Sequence, residues 1–384
     1  MKKIFKTAAV IAVFVLAMVS CTSTKAAILP AEPCFESDAS GLADTIKSIG
    51  ADMTGNVSVK VTGGNAGDAD AFFAGIKEAL RSLEESNPEV TITLNMALLE
   101  GLETIPDYAL SDASNTSSEP SGRNNVQEII LPESVSFIGV SAFCGCKNLT
   151  RINIPAAVTQ IQPGAFVNCD NLKTAEYGGT LAQWCSMHDD GQLNRFAAAI
   201  SMTDLDNLLS LTKLEIPDGV ETIGSSAFAY CKNLTEVIIP ESVTGIGFSA
   251  FSSCENLTTI VLPSRLSSIS TALFESCVSL KTIEIPESVS YIGRYAFCGC
   301  PIESITIPAG VEGLGDHVFR DCNLLTKVVF ADPDAKWYFR HWNARDFDYA
   351  HPVNVSDPSR NAARLKDGSM SGYANGDLIN AKYK

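Results

Sequence analysis

Twelve cysteines are the residues of this 384-residue chain best equipped for chemistry. A thiolate is a nucleophile, a redox centre and a soft metal ligand. Seven of the twelve, Cys146, Cys169, Cys231, Cys254, Cys277, Cys300 and Cys322, each follow a proline by fourteen residues. Equivalent positions aim their side chains the same way, so they do not supply the facing pairs that disulfides need. Buried free thiols are the expectation. Cys144 and Cys298 make two Cys-Gly-Cys motifs, too far apart in the repeat order to share the ligands of one zinc ion. Cys34 and Cys185 fall outside the periodic set and are the candidates for a disulfide or a reactive thiol.

Other chemistries find less support. Gly139-Val140-Ser141, Gly224-Ser225-Ser226 and Gly247-Phe248-Ser249 resemble a nucleophile elbow. Each lacks the closing glycine, and a nucleophile is placed once, not once per repeat. The histidines, His188, His317, His341 and His351, pair with no nucleophile or carboxylate at a recognisable spacing. His188-Asp189-Asp190 reads as an exposed polar loop rather than a cation site. The glycine-rich residues 63–67 sit where a phosphate loop would, but lack its Gly-Lys-Ser/Thr ending, and Asp68 and Asp70 would oppose a phosphate. The aromatic residues Trp337, Tyr338, Phe339 and Trp342 read as a structural closure; a carbohydrate platform is the alternative. No catalytic residue, metal ligand or cofactor site is assigned.

The elements that must carry these residues follow from the period. Pro132, Pro155, Pro217, Pro240, Pro263, Pro286 and Pro308 mostly recur every 23 residues, and a period of that size marks a solenoid. The repeat reads Pro-x-x-Val-x-x-Ile-Gly-x-x-Ala-Phe-x-x-Cys-x-x-Leu-x-x-Ile-x-Ile. Its last third alternates with period two, so it predicts a short strand with one buried face. Proline then stops the strand, having no N–H to donate. The glycine suits a turn with positive φ, and the phenylalanines from Phe143 to Phe319 should stack along the core. Outward positions on the strands include Arg151, Asn153, Glu236, Ile238, Thr259, Val261, Thr282 and Glu284. Threonine there fits β-propensity. Ile238 beside Val261 makes an apolar step, so this row is the candidate protein-binding surface, with the insertion at 178–210 as the alternative place for the site.

The predicted fold is therefore α/β and β-rich: a right-handed solenoid with a parallel strand ladder, an α/β N-terminal cap and an aromatic C-terminal cap. Residues 1–20 read as a signal peptide, 21–40 as a tether, 41–97 as the N-terminal cap, 98–331 as the solenoid with an insertion at 178–210, and 332–384 as the C-terminal cap and tail. A degenerate first repeat is echoed at residues 105–110 and 126–131, with a mobile loop expected between them at 111–125. The N-terminal cap should comprise a strand near 57–62, a helix opened by Asp68 and Asp70, and a strand near 90–94. Residues 354–384 look weakly ordered, apart from a docking role for Tyr383.

The N-terminus is an address. Lys2, Lys3 and Lys6 precede an apolar stretch, Ala8 to Val19, that is short for a membrane span. The run Met18-Val19-Ser20-Cys21 resembles a bacterial lipoprotein signal, which implies diacylglyceryl-modified Cys21. An ordinary secretory signal cut near Ala26 or Ala27 is the alternative. Thr22, which is not aspartate, points to the outer membrane. The net charge of −16 becomes −19 without residues 1–20, and such a surface repels phosphate backbones, which argues against nucleic-acid partners. An exported chain with this many thiols fits a reducing or anaerobic habitat.

On its repeat over roughly residues 98–331, the chain resembles the BspA-type leucine-rich repeat proteins of bacteria. Tyr177-Gly178-Gly179-Thr180 with Gln183-Trp184 resembles an insertion seen among them, and the lipoprotein frame is similar to spirochaete members. The resemblance implies a non-enzymatic envelope protein that binds host matrix or other cell-surface proteins and is held to the membrane by its lipid. The alternatives are a periplasmic structural scaffold, and a carbohydrate binder or hydrolase using the insertion or the C-terminal aromatic segment.

Overall fold

The computed structural model describes residues 33–50, 53–112, 122–187, 200–202, 208, 211–332, 337–341, 355–366 and 376–380. The repeat folds as its pattern requires. Strand Glu236–Ile238 lies parallel between Lys213–Glu215 and Thr259–Val261, and each residue pairs with its equivalent 23 positions away. Val237 and Ile260 point inward while their neighbours face out. After the proline, Val243 is buried and the two-residue strand Gly245–Ile246 pairs with Thr222–Ile223 on a second side of the coil.

The turn side carries a third set of bonds. Phe228 N donates to Ala250 O, Phe251 N to Leu273 O, Phe274 N to Ala296 O and Phe297 N to Val318 O. The phenylalanine rings stack accordingly, with centroids 5.6 Å apart for Phe228–Phe251, 6.0 Å for Phe251–Phe274, 5.8 Å for Phe274–Phe297 and 5.6 Å for Phe297–Phe319. Phe143 and Phe166 form a separate stacked pair at 5.3 Å.

The repeat glycine works differently from expectation. Gly139 and Gly293 do not adopt positive φ. Instead a Cβ at Gly139 would lie 2.6 Å from Asp107 N, and one at Gly293 would lie 2.5 Å from Thr271 N. Glycine is needed for close approach of the neighbouring coil. Positive φ falls two residues later, at Ser141, Ser226, Ser249, Ala272, Tyr295 and His317.

The N-terminal unit is part of the ladder. Cys34–Ser37, Gly55–Val61, Val90–Asn95, Val126–Ile130, Arg151–Ile154, Thr174–Tyr177 and Ile200–Met202 form one seven-stranded parallel sheet. The stretch read as a tether to residue 40 therefore ends in a strand. Helix Ala69–Ser86 is capped by the Asp68 side chain, which accepts from Ala71 N at 3.1 Å, and buries Phe73, Ile76, Leu80 and Leu83. Arg123, 4% exposed, pairs with Glu84 of this helix at 3.6 Å and with Asp112, which Arg81 also holds at 2.8 Å. Of the loop expected at 111–125, residues 113–121 lie outside the described residues; Ser111 and Gly122 form a bridge at its base.

The insertion begins with helix Leu181–Cys185, opened by a capping box between Thr180 and Gln183. Trp184 is buried and its Nε1 donates to Ala227 O at 2.9 Å, while Gly224 N donates to Cys185 O at 2.7 Å. Strand Ile200–Met202 adds a rung beside Thr174–Tyr177. Among the described residues it is the last of that sheet, and Lys213–Glu215 starts another.

The C-terminal segment is more structured than expected. Strand Trp337–His341 pairs antiparallel with Gly376–Asn380, which pairs with Gly313–Leu314 of the solenoid. Helix Pro358–Lys366 lies against strand Lys327–Phe330, where Asn361 Nδ2 donates to Val328 O at 3.1 Å and to Val355 O at 2.7 Å. Tyr383 lies outside the described residues.

Candidate functional site

The outward face of the ladder is built by strand alternation: one residue anchors the rung, and its neighbours stand free. Arg151 is exposed and bridges two rungs, with Glu128 at 3.2 Å and Glu176 at 2.8 Å. Such exposed pairs contribute about 0–1 kcal/mol each and leave the surface polar but self-matched. Asn153 is half-buried and fully engaged. Its Oδ1 accepts from Leu131 N at 2.6 Å and its Nδ2 donates to Leu131 O at 3.0 Å. Leu131 precedes Pro132, where the strand ends, so Asn153 satisfies backbone groups that the ladder leaves open. That is a structural task.

Glu236, Ile238, Thr259, Val261, Thr282 and Glu284 come together on three successive rungs. Ile238 and Val261 are register partners, 43% and 69% exposed. Glu236 is half-buried, 3.6 Å from Lys213. Arg151 and Asn153 belong to the other sheet, on the far side of the insertion in the chain. Thr282 and Glu284 are exposed on either side of buried Ile283, so the alternation persists there. The rung itself has opened. Residues 281–285 belong to no sheet, and their backbone makes no hydrogen bond to the rungs on either side. The alternation in the sequence is unbroken at this rung and gives no sign of the opening.

Threonine on this face does more than favour strands. The hydroxyls of Thr150, Thr235, Thr258 and Thr326 donate to Gln127 O, Thr212 O, Thr235 O and Glu303 O, at 3.1, 2.8, 3.1 and 3.2 Å, linking each rung to the one before.

No cysteine among the described residues forms a disulfide. Cys254, Cys277, Cys300 and Cys322 donate through Sγ to the carbonyls of Phe228, Phe251, Phe274 and Phe297, at 3.3, 3.1, 3.0 and 3.0 Å. Burial pushes the Cys146, Cys231, Cys277 and Cys322 thiols up to about 12, and holds Cys169, Cys254 and Cys300 well above the ordinary thiol range. These are unreactive core groups. Cys34 is exposed and Cys185 buried, and the two form no disulfide. Cys21 lies outside the described residues.

The remaining candidates stay structural. Among the described residues no cluster of histidine, cysteine and carboxylate could hold a metal ion. His317 Nδ1 lies 2.7 Å from Asp316 Oδ1 at an angle that makes no hydrogen bond, and its ring stacks on Tyr295. His188 and His351 lie outside the described residues. The glycine-rich loop and the start of helix Ala69–Ser86 border a cavity of about 330 Å³, which Asp68 lines together with Ser40, Asn65 and Phe72. That carboxylate caps the helix and opposes an anion there. Trp337 is 2% exposed and packs edge-on to Phe330 at 5.0 Å, so it is a core residue and not a sugar platform. Trp342 lies outside the described residues.

The model of the BspA type leucine-rich repeat region matches in six copies over residues 121–186 and 199–326, just over half of the chain. The chain belongs to this family. The interval between the matched segments falls in the insertion. A leucine-rich cell surface protein of Faecalibacterium prausnitzii is similar in structure, with a TM-score of 0.43 and 21% identity over 82% of this chain and 86% of that one. A leucine-rich repeat protein of Bacteroides ovatus shares 28% identity over 55% of this chain and 56% of that one, with a TM-score of 0.37. The pneumococcal vaccine antigen PcpA gives 16% identity over 72% of this chain and 67% of that one, with a TM-score of 0.41. No curated protein sequence matches the chain. Among the described residues, no helix is long and apolar enough to cross a membrane. A BspA-type solenoid presents a repeated surface rather than a convergent pocket, which fits protein binding.

Proposed function

We propose that this BspA-type chain is an envelope protein, anchored to the outer membrane through diacylglyceryl-modified Cys21 and exposed at the cell surface, where it attaches to host matrix proteins or to other cells. The observation that carries the binding role is the exposed pair Ile238 and Val261 on neighbouring rungs of an otherwise polar strand face. Apolar side chains left in water on a rigid sheet gain by association. The acidic chain disfavours nucleic acid, and neither catalysis nor a cofactor is part of this reading.

The test is binding of the purified chain to immobilised matrix proteins and to partner cells, with Val261→Asp as the surface variant. Saturable binding that falls about tenfold in the variant (~1.4 kcal/mol), with an unchanged unfolding midpoint, is the expected result. A folded native chain that binds none of them, or binds equally well as the variant, contradicts the reading.

A further inference from the structure

Three features of the outward face between residues 213 and 287 go beyond what the repeat needs. Ile238 and Val261 are exposed where the rungs on either side carry Glu215 and Glu284. The next rung, residues 281–285, leaves its backbone N–H and C=O groups without ladder partners. The rim where strands give way to prolines is acidic: Glu215, Asp218, Glu241, Glu284 and Glu287 are exposed there, against Arg265, with Lys281 exposed at the opposite end of the Glu284 rung. Nearby Lys213 is already held by Glu215 at 3.0 Å and by Glu236 at 3.6 Å.

These features select a partner. An apolar pair within a carboxylate rim repels acidic chains and attracts segments in which lysine or arginine flanks apolar side chains. Ile238 and Val261 are register partners on successive rungs, so an extended segment laid across the rungs can cover both. Resting on the protein-binding reading above, we infer that this patch docks an extended protein segment in which lysine or arginine residues flank a short apolar pair. The apolar side chains cover Ile238 and Val261, and the flanking basic ones meet Glu284 and the rim.

The probe is a short peptide of two leucines flanked on both sides by lysines, titrated onto the full chain, with the same peptide carrying glutamates in place of the lysines as control. The lysine–leucine peptide is expected to bind, more weakly as salt rises, and the glutamate peptide not to bind. Val261→Lys and Glu284→Lys should each weaken binding about tenfold, and Gln160→Lys, on a different sheet, should not. Hydrogen exchange at residues 282–284 should slow on binding. Equal binding of both peptides, no binding of either, or undiminished binding by both patch variants overturns the inference. If the lysine–leucine peptide fails while the chain still binds matrix proteins or cells through Val261, only the partner chemistry falls. If both fail, the protein-binding reading falls with it.

Discussion

A side chain in this solenoid is judged mainly by the coil above or below it. Gly247 shows this: a Cβ there would collide with the Ser225 backbone, although the glycine has an ordinary φ. Gly247→Ala should therefore cost about 1–3 kcal/mol through overpacking. Ser249→Gly, at φ 53°, should change stability by under ~1 kcal/mol, because strain relief offsets the added freedom of the unfolded chain. Urea unfolding of both variants checks the contrast, and a neutral Gly247→Ala would remove the close-approach explanation. The sequence showed that a glycine was wanted but not why, since a pattern of small residues does not distinguish a missing Cβ from a positive φ. The thiols give a second prediction. Burial raises their pKa in the fold, so the unfolded chain loses its thiol protons first as pH rises. Their contribution is complete below the ordinary thiol value of 9.0 and is lost toward about 12. The urea midpoint should fall from about pH 8 to about pH 10, and less steeply in Cys277→Ala. An identical slope in that variant would show that Cys277 is not held protonated by the fold.

Elements were legible where the repeat landmarks recur. The strands around Val237 and Ile260, the phenylalanine stack and the buried cysteines all follow from positions fixed by proline. At the ends those landmarks stop. Strand Cys34–Ser37 carries no proline or cysteine signal of the repeat type, and only its pairing with Gly55–Val61 shows that it extends the ladder. Helix Pro358–Lys366 is polar and short, and it docks through buried Ala362, through Leu365 packed against the core, and through Asn361, bonded to Val328 O and Val355 O. Asn361→Ala should cost about 1–3 kcal/mol by stranding those carbonyls. It should also speed hydrogen exchange in Lys327–Phe330; unchanged exchange there would mean that the helix does not hold the last rung. At the candidate surface, the outward row was legible from alternation, and Ile238, Thr259, Val261, Thr282 and Glu284 are all exposed. What alternation does not reveal is which polar groups are already used, and Asn153 was claimed by Leu131 of the preceding rung.

For the whole molecule, the parallel ladder gives a BspA-type chain an outward face, and the envelope address proposed for its N-terminus would decide what that face can meet. Attachment to host or partner cells requires the solenoid to stand outside the outer membrane, whatever the chemistry of the patch around Val261. Protease accessibility on intact cells, with a periplasmic protein as the control, tests this requirement most directly. The proposed role predicts digestion of the solenoid while the periplasmic control stays whole. Protection until the outer membrane is opened would contradict attachment and leave a periplasmic scaffold in its place.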